Sequence, residues 1–357
     1  MTRIPVTPKS DLDLILAHTE GLWEELRGRR VFISGGTGFF GRWILESLAR
    51  ANDVLDLNTS AVVLTRDPRA FARRAPDVAA NGCLEFLSGD VRDFSFPQGE
   101  FACVVHGAAD SGSQPGAESQ AQLFETIVHG TRRVLDLAVT ARATKFLLIS
   151  SGAVYGPQAV GVSHVPETCP GGPDPMDPRC AYAEGKRAAE MMCGLGARRH
   201  GLEVKVARCF AFVGPHLPLD AHFAIGNFIR DGLRGGPIQV NGDGSPLRSY
   251  LYAADLMIWL WTILFRGEPG VAYNVGSEDS RKISEWASLV ARSFIPVPEV
   301  LVAKPPARDR GGSYVPQTLR ARSALGLRQF VGPEVAIAKT IRAHQQADEM
   351  RKGERAI

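Results

Sequence analysis

Short apolar runs alternate with helix-length segments over the first 208 residues of this 357-residue chain, and this alternation limits the possible folds most strongly. The runs are nearly continuous in Val, Ile, Leu and Phe, as expected of strands that are buried on both faces of a sheet. They are RVFIS (30–34), AVVLT (61–65), CLEFL (83–87), FACVVH (101–106), KFLLIS (145–150) and LEVKVAR (202–208). Helix-length segments lie between them, at Phe39 to Ala51, Ser119 to Ala141 and Ala181 to His200. The alternation predicts an α/β fold with a Rossmann-type, doubly wound parallel sheet.

The pattern changes near Arg208, where Gly and Pro become more frequent and the predicted strands become short and isolated. We therefore predict a Rossmann domain over residues 1–208 and a smaller, irregular α/β lobe mainly over 209–357. A segment near 249–275 is expected to return to the first domain. The longest apolar run, from Leu256 to Phe265, is too short to span a bilayer and predicts a buried helix.

An amphipathic prefix from Asp11 to Leu26 precedes the first predicted strand. Its spacing of apolar residues predicts a helix that docks on the Rossmann domain. The apolar positions are Leu12, Ile15, Leu16, Leu22, Trp23 and Leu26.

Charge and cysteine usage exclude several classes of partner and location. The formal net charge is only +3 and no block of Lys or Arg stands out, which argues against a nucleic-acid partner. The six cysteines are scattered without a C-x-x-C pair, and the N-terminus has no secretory pattern. We therefore expect a cytoplasmic protein with reduced thiols and no membrane partner. The spacing of the eight histidines predicts no metal site.

The first predicted strand runs directly into the glycine loop GGTGFFG (35–41), and a predicted helix follows. Gly35, Gly38 and Gly41 allow a tight turn, a close approach of the backbone to a pyrophosphate, and close helix–strand packing. The free N–H groups at the start of the helix, which include those of Phe39 and Phe40, favour an anion. The loop therefore predicts a dinucleotide cofactor, NAD or NADP.

The end of the second predicted strand bears on the choice between these two dinucleotides. An acidic residue there binds the ribose 2′-hydroxyl of NAD, whereas an arginine can receive the 2′-phosphate of NADP. Thr65 occupies the usual acidic place and Arg66 follows it, which favours NADP. If Arg66 is only a solvated side chain beside Asp67, NAD is bound instead.

A phenol, an amine and a hydroxyl are placed for hydride chemistry. Tyr182 and Lys186 are four residues apart on a predicted helix and therefore share one face. We expect the lysine ammonium to lower the pKa of the Tyr182 phenol, so that the phenol can act as a base. Ser151 follows the fifth predicted strand and can share the proton network of a substrate hydroxyl.

At this point the chain resembles a known family, the extended short-chain dehydrogenases/reductases of the nucleotide-sugar epimerase/dehydratase group, over about residues 30 to 330. The motifs that carry the resemblance are GGTGFFG (35–41), GDVRD (89–93), VVHGAA (104–109), GTRRVLDLA (130–138), SSGAVYG (150–156), YAEGK (182–186), ARCFAFVGP (207–215) and RSYLYAADL (248–256). By this resemblance Asp90 and Val91 flank the adenine, and Ala108 approaches the cofactor. The resemblance also assigns the catalytic hydroxyl to Ser151 rather than Ser150.

The resemblance further implies a nucleotide-diphosphate-sugar substrate, which is bound by the second lobe. Arg248 matches the arginine that contacts the diphosphate, and Arg308 or Arg310 can supply a further contact. Asn227 resembles an asparagine that contacts the same region. Related enzymes dimerise through two long helices per subunit, so we expect a homodimer through the segments near 119–141 and 181–200.

Four positions depart from the family pattern and narrow the chemistry. By the same resemblance, sugar 4,6-dehydratases of the group have Thr-Asp-Glu where this chain has Ser151, Gly152 and Ala153, and the related decarboxylases keep the Glu. A dehydratase or decarboxylase is therefore disfavoured. Ile127 and Ala211 replace two asparagines that the family usually carries, which affects packing beneath the site and a contact to the sugar or phosphate.

Three readings follow from these residues. The first is an epimerase that acts at a sugar carbinol, C4 by expectation, of a nucleotide sugar. The second is an NADPH-dependent reductase of a nucleotide-linked 4-keto sugar, which Arg66 favours. The third is a dinucleotide-binding protein without catalysis, and the presence of Ser151, Tyr182 and Lys186 argues against it.

Overall fold

A computed structural model describes residues 7–109, 117–159, 161–221, 223–305 and 312–355, without the side chains of 117 and 351–355. The helices are α1 (Lys9–His18), α2 (Phe39–Leu55), α3 (Pro68–Arg74), α4 (Pro76–Ala79), α5 (Ala117–Thr140), α6 (Ala181–His200), α7 (Ala224–Leu233), α8 (Ala253–Arg266), α9 (Ile283–Ala291), α10 (Leu319–Leu325) and α11 (Pro333–Arg355). The strands are β1 (Arg30–Ser34), β2 (Ser60–Thr65), β3 (Leu84–Ser88), β4 (Cys103–His106), β5 (Lys145–Ser151), β6 (Glu203–Cys209), β7 (Phe212–Val213), β8 (Ile238–Val240), β9 (Leu247–Arg248), β10 (Leu251–Tyr252), β11 (Ala272–Val275), β12 (Arg281–Lys282) and β13 (Val300–Val302).

A seven-stranded parallel sheet forms the centre of the fold, in the order β3-β2-β1-β4-β5-β6-β11. The predicted Rossmann-type sheet is therefore confirmed, and the six predicted strands agree with β1–β6 to within two residues at either end. The chain runs outward from β1 to β3 and then returns to the other side of β1 with β4. In such sheets ligands bind where the strand order reverses, at the carboxyl ends of the two diverging strands.

The predicted buried helix is confirmed as α8, whose residues 253–265 are all buried. It packs against α1, α2, β5 and β6, and β11 then joins the sheet beside β6. Among the helices of the described residues, none has both the length and the apolar character that a membrane span requires.

The irregular second lobe contains two-stranded pairs rather than another large sheet. β7 pairs with β10, β8 with β13, and β9 with β12. The division of the chain at 208 and 209 stays a prediction. The dimer also stays a prediction, although α5 and α6 lie side by side and carry the exposed apolar side chains of Phe124, Met191 and Leu195.

The N-terminal prefix docks on the main core as predicted, but it is not one continuous helix. α1 ends at His18, because the backbone of Thr19 has left the helical conformation, with φ −123° and ψ 20°, and the chain then turns at Gly21. Gly21 has a φ of +76°, which a glycine adopts without strain. A short 3-10 helix, Trp23–Leu26, completes the prefix and buries both of its end residues.

A buried charge attaches this prefix to the rest of the chain. The Asp11 side chain is fully buried, accepts a hydrogen bond of 2.7 Å from the Tyr252 hydroxyl, and forms an ion pair with Lys339 on α11. A buried carboxylate needs such partners, because desolvation otherwise destabilises it strongly. The pair therefore joins α1 to both the second lobe and the C-terminal helix.

We predict that Lys339→Met lowers the free energy of unfolding by about 2 kcal/mol, because it leaves the Asp11 charge buried beside one neutral hydrogen bond. The matched control is Arg50→Met, which breaks the more exposed ion pair with Asp13 on the same helix. This control is expected to lose less than about 1 kcal/mol. Urea denaturation of both variants measures the two losses, and equal losses would contradict the role assigned to Asp11.

Candidate active site

The predicted glycine loop lies at the point where the strand order reverses, between the carboxyl ends of β1 and β4. Gly35 has a φ of +78°, and a Cβ atom there would lie 2.6 to 2.7 Å from the backbone of Gly107 and Ala108. A glycine is therefore required at position 35 for two reasons, its conformation and the closeness of the neighbouring strand. Ala108, which was expected to approach the cofactor, is thus placed beside the loop.

Gly41 and Gly38 have different surroundings. A Cβ atom at Gly41 would overlap the backbone of Gly35 and Gly36, so this glycine allows α2 to pack on the loop. A Cβ atom at Gly38 would meet only the Gly35 carbonyl, at 3.7 Å, which is an ordinary contact. The folded chain itself thus has room for a side chain at 38, and this space suits an approaching pyrophosphate.

The first turn of α2 supplies donors for that pyrophosphate. Gly38 caps the helix and its own N–H donates to the Gly35 carbonyl over 3.3 Å, whereas the N–H groups of Phe39 and Phe40 belong to the turn that helical hydrogen bonds leave unsatisfied. The helix dipole adds a partial positive charge at the same end. These residues therefore fit a dinucleotide, as the loop pattern predicted.

The residues expected at the adenine end lie beyond β2 and β3. The Asp90 carboxylate accepts hydrogen bonds from the Arg92 side chain, which, together with the charge of Arg66, lowers the pKa of Asp90. Val91 is buried and packs against Gly130, at which a Cβ atom would lie 2.8 Å from Val91 Cγ1. Arg66 is exposed at the end of β2, and its positive charge contributes to the lowered pKa of Asp90.

The predicted hydroxyl, phenol and amine come together at the carboxyl end of β5. Ser151 hydrogen-bonds Tyr182, and the neighbouring Ser150 instead donates a hydrogen bond of 2.6 Å to Glu190. The Lys186 amine is buried, lies 5.9 Å from the centre of the Tyr182 ring, and donates a hydrogen bond of 2.8 Å to the Ile149 carbonyl. The structure thus brings the three predicted side chains to one end of the sheet.

The prediction that the pKa of Tyr182 is lowered is wrong for the protein without a bound cofactor. Burial raises the pKa of Tyr182, and the hydrogen bond with Ser151 opposes this only in part. Burial also lowers the pKa of Lys186 to about 8, because the charged amine loses its hydration. Both shifts disfavour the charged form, so the Tyr182 phenol holds its proton more tightly than a free phenol and the Lys186 amine holds its proton less tightly than a free amine.

A buried histidine supports the end of β4, and its importance was missed in the sequence. His106 Nδ1 lies 2.6 Å from Ser34 Oγ, and its Nε2 lies 3.0 Å from Thr131 Oγ1. Thr131 donates its own hydrogen to the Ile127 carbonyl, so it accepts from Nε2, and Ser34 donates to Nδ1. Burial, together with the nearby Lys186 charge, lowers the pKa of His106 to about 3, which keeps the ring neutral.

A second residue that the sequence did not reveal is Tyr314, which enters the site from the C-terminal segment. Its hydroxyl lies 3.5 Å from Ser151 Oγ, and its ring packs on Phe210 with the ring centres 4.6 Å apart and the ring planes tilted by 35°. The only signal for it in the sequence is an isolated tyrosine in a segment without periodicity.

The predicted substrate residues lie in the second lobe, partly held by neighbours. The Arg248 guanidinium donates to the carbonyls of Leu247 and Gly312, and burial lowers its pKa. Asn227 on α7 accepts a hydrogen bond of 3.1 Å from Arg230. Arg308 and Arg310 lie outside the described residues.

The comparisons with known proteins agree with this arrangement. The sequence profile of the NAD dependent epimerase/dehydratase family matches residues 31–276, which is more than half of the chain. The chain belongs to this family. It is therefore an enzyme of an NAD-dependent family, and the predicted family and enzyme class are confirmed. The preference for NADP that Arg66 suggested stays a prediction.

Individual relatives carry several different activities. The chain is 28% identical over 316 residues to UDP-glucuronic acid decarboxylase 1 of Danio rerio, which covers 88% of this chain and 72% of the relative. Its fold matches UDP-glucose 4-epimerase of Thermotoga maritima, solved with UDP-glucose, with a TM-score of 0.73, 21% identity, and coverage of 89% and 99% of the two chains. It also matches dTDP-glucose 4,6-dehydratase of Bacillus anthracis, solved with NAD, with a TM-score of 0.72, 18% identity, and coverage of 90% and 98%. At these identities the structural likeness shows the fold alone.

We predict that Gly38→Ala folds normally but weakens binding of NAD at least about tenfold, because the added methyl group enters only the space left for the pyrophosphate. Gly82→Ala is the control, since a Cβ atom at this exposed glycine meets nothing within 4 Å. Calorimetric titration with NAD measures the affinities, and thermal unfolding without added NAD checks the fold. Equal NAD affinity in the two variants would show that the loop does not hold the dinucleotide.

Proposed function

We propose that this chain is a nucleotide-sugar epimerase that oxidises and re-reduces one sugar carbinol, at C4. The observation that carries the proposal is that Ser151, Tyr182 and Lys186 lie together at the end of β5. These three side chains supply the proton acceptor and the hydrogen-bond donors that hydride transfer at a carbinol needs. Gly152 and Ala153, which follow Ser151 in the chain, have no carboxyl group with which to eliminate water or assist loss of carbon dioxide.

The protein residues would manage the proton of the sugar hydroxyl. Tyr182, as the phenolate, accepts the O4 proton while the C4–H bond breaks, and it later returns a proton to O4. Ser151 donates a hydrogen bond to the same sugar oxygen and keeps it aligned with Tyr182. The Lys186 ammonium, 5.9 Å from the centre of the Tyr182 ring, would stabilise the phenolate when the amine is protonated.

The cofactor would lie along the glycine loop, with its pyrophosphate at the first turn of α2 and its adenine near Asp90 and Val91. When bound, NAD would supply the hydride acceptor for the oxidation at C4 and the hydride donor for the return step. We infer NAD rather than NADP as the cofactor, although Arg66 by itself favours NADP, because the charge of the Asp90 carboxylate interacts with Arg66 and offsets its positive charge. An epimerase needs a cofactor that stays bound through both half-reactions.

A one-way reduction of a nucleotide-linked 4-keto sugar by NADPH is the second candidate. Its support is Arg66 at the end of β2, where no acidic side chain follows the strand directly. The relatives named UDP-glucuronic acid decarboxylases support a nucleotide-sugar substrate for either candidate. In both, Arg248 would contact the diphosphate, after exchanging at least one backbone carbonyl for a phosphate oxygen.

We predict that the purified enzyme, incubated with UDP-glucose, UDP-glucuronic acid or dTDP-glucose, converts at least one of them into a product of unchanged mass. Epimerisation only inverts a centre, whereas decarboxylation and dehydration remove carbon dioxide or water. Mass spectrometry identifies the class of reaction, and proton NMR locates the inverted centre.

The control is Tyr182→Phe, in which turnover should fall by about 10²- to 10⁴-fold with NAD binding retained, because only the proton-carrying hydroxyl is lost. A product lighter by carbon dioxide or water would contradict the epimerase proposal. Full activity of Tyr182→Phe would contradict the assignment of the base.

A further inference from the structure

Tyr314 occupies the place into which a side chain at position 152 would project. A Cβ atom built on Gly152 would lie 2.7 Å from both the Tyr314 hydroxyl and the nearest ring atom of Phe210. A phenol from a distant segment therefore fills the space beside Gly152.

The Tyr314 hydroxyl is held there by its surroundings. Its ring packs against Phe210 at a tilt, and the backbone at Tyr314 forms a β-bridge with Arg248 of β9. The hydroxyl lies 3.5 Å from Ser151 Oγ and 3.5 Å from the Cys209 carbonyl. These distances are long for hydrogen bonds, and such contacts tighten when a site takes up its reactive charge.

The hydrogen bonds at Ser151 fix a direction for proton donation. The Ala153 N–H donates to Ser151 Oγ over 3.1 Å, so one further acceptor position and one hydrogen remain on the hydroxyl. If Tyr182 is ionised while no sugar is bound, it can only accept, and the single Ser151 hydrogen, which a bound sugar oxygen would otherwise take, points to it. The remaining lone pair of Ser151 is then free to accept the Tyr314 hydrogen.

We propose that Tyr314 is a positioning residue of the proton network, which donates its hydroxyl hydrogen to Ser151 and through Ser151 stabilises the Tyr182 phenolate. A negative charge on Tyr182 draws the shared hydrogen of Tyr314 from the Cys209 carbonyl toward Ser151, because hydrogen bonds to charged groups are the stronger ones. This role deepens the proposed function, on whose assignment of Tyr182 as the base it rests.

The titratable and charged groups that face this network are few among the described residues, and they come from three elements. Lys186 on α6 lies 5.9 Å from the centre of the Tyr182 ring, and burial lowers its pKa to about 8, whereas the charge of Arg248 on β9 lowers the pKa of Tyr314. The Cys209 thiol on β6 stays neutral, because burial raises its pKa. Tyr314 itself stays protonated, because burial also raises its pKa, so it remains a donor when Tyr182 ionises.

The test is an ultraviolet titration of the NAD-loaded enzyme, which follows the absorbance of tyrosinate and needs no substrate. The step that belongs to Tyr182 is the one that Tyr182→Phe removes in each background. Tyr314→Phe keeps the ring on Phe210 and removes only the hydroxyl. We expect it to raise the pKa of Tyr182 by about half a unit to one unit.

The matched control is Tyr155→Phe. The Tyr155 ring also flanks Phe210, with ring centres 6.2 Å apart, but its hydroxyl donates to Asn274 rather than to Ser151. This variant should leave the pKa of Tyr182 unchanged. An equal pKa of Tyr182 in the Tyr314 and Tyr155 variants would overturn the proposal, as would a Tyr182 step above the range in which the enzyme stays folded.

A second pair of variants tests the route through Ser151. In a Ser151→Ala background the relay is broken, so Tyr314→Phe should cause no further rise in the pKa of Tyr182. A rise as large as in the wild-type background would show that Tyr314 acts by another path and would overturn the relay. Because the titration measures ionisation without turnover, its outcome is separate from that of the activity test of the proposed function.

Discussion

The site depends on the close contact of three backbone segments, which are the glycine loop after β1, the end of β4 and the first turn of α2, with no side chains between them. Gly35 lies against the end of β4, and Gly41 lets the first turn of α2 rest on Gly35 itself. A side chain at either position would move the helix N-terminus away from the point where the strand order reverses. Because the carboxyl ends of β1, β4 and β5 share this edge of the sheet, the same contact places the dinucleotide loop near the residues that follow β5.

Buried polar groups keep that edge in one arrangement. His106 joins β1 to α5 through Ser34 and Thr131, and each of its ring nitrogens has a partner of defined direction. Glu190 performs a similar task between α6, β5 and β6, since it accepts from both Ser150 and Arg208. Satisfied networks of this kind specify one geometry, because any alternative leaves a buried polar group without a partner.

Much of the fold and part of the site are predictable from local patterns. The strands of the sheet, α6 and the glycine loop are contiguous in sequence and carry their own periodicity, so their positions follow directly. Tyr314 meets Ser151 across 163 residues of chain, and no local pattern marks that contact. The predicted direction of the Tyr182 pKa shift is wrong, because burial raises this pKa and the burial depends on packing that residue spacing does not reveal. The break in the prefix at Gly21 likewise depends on a backbone conformation rather than on the apolar pattern.

The proposed epimerase reaction requires a cofactor that stays bound through both half-reactions. Denaturing the purified enzyme and identifying any released dinucleotide by mass spectrometry tests it most directly. We predict the release of NAD or NADH, at close to one molecule per chain. A protein that releases no dinucleotide, or that releases or selectively takes up NADP(H), would contradict it.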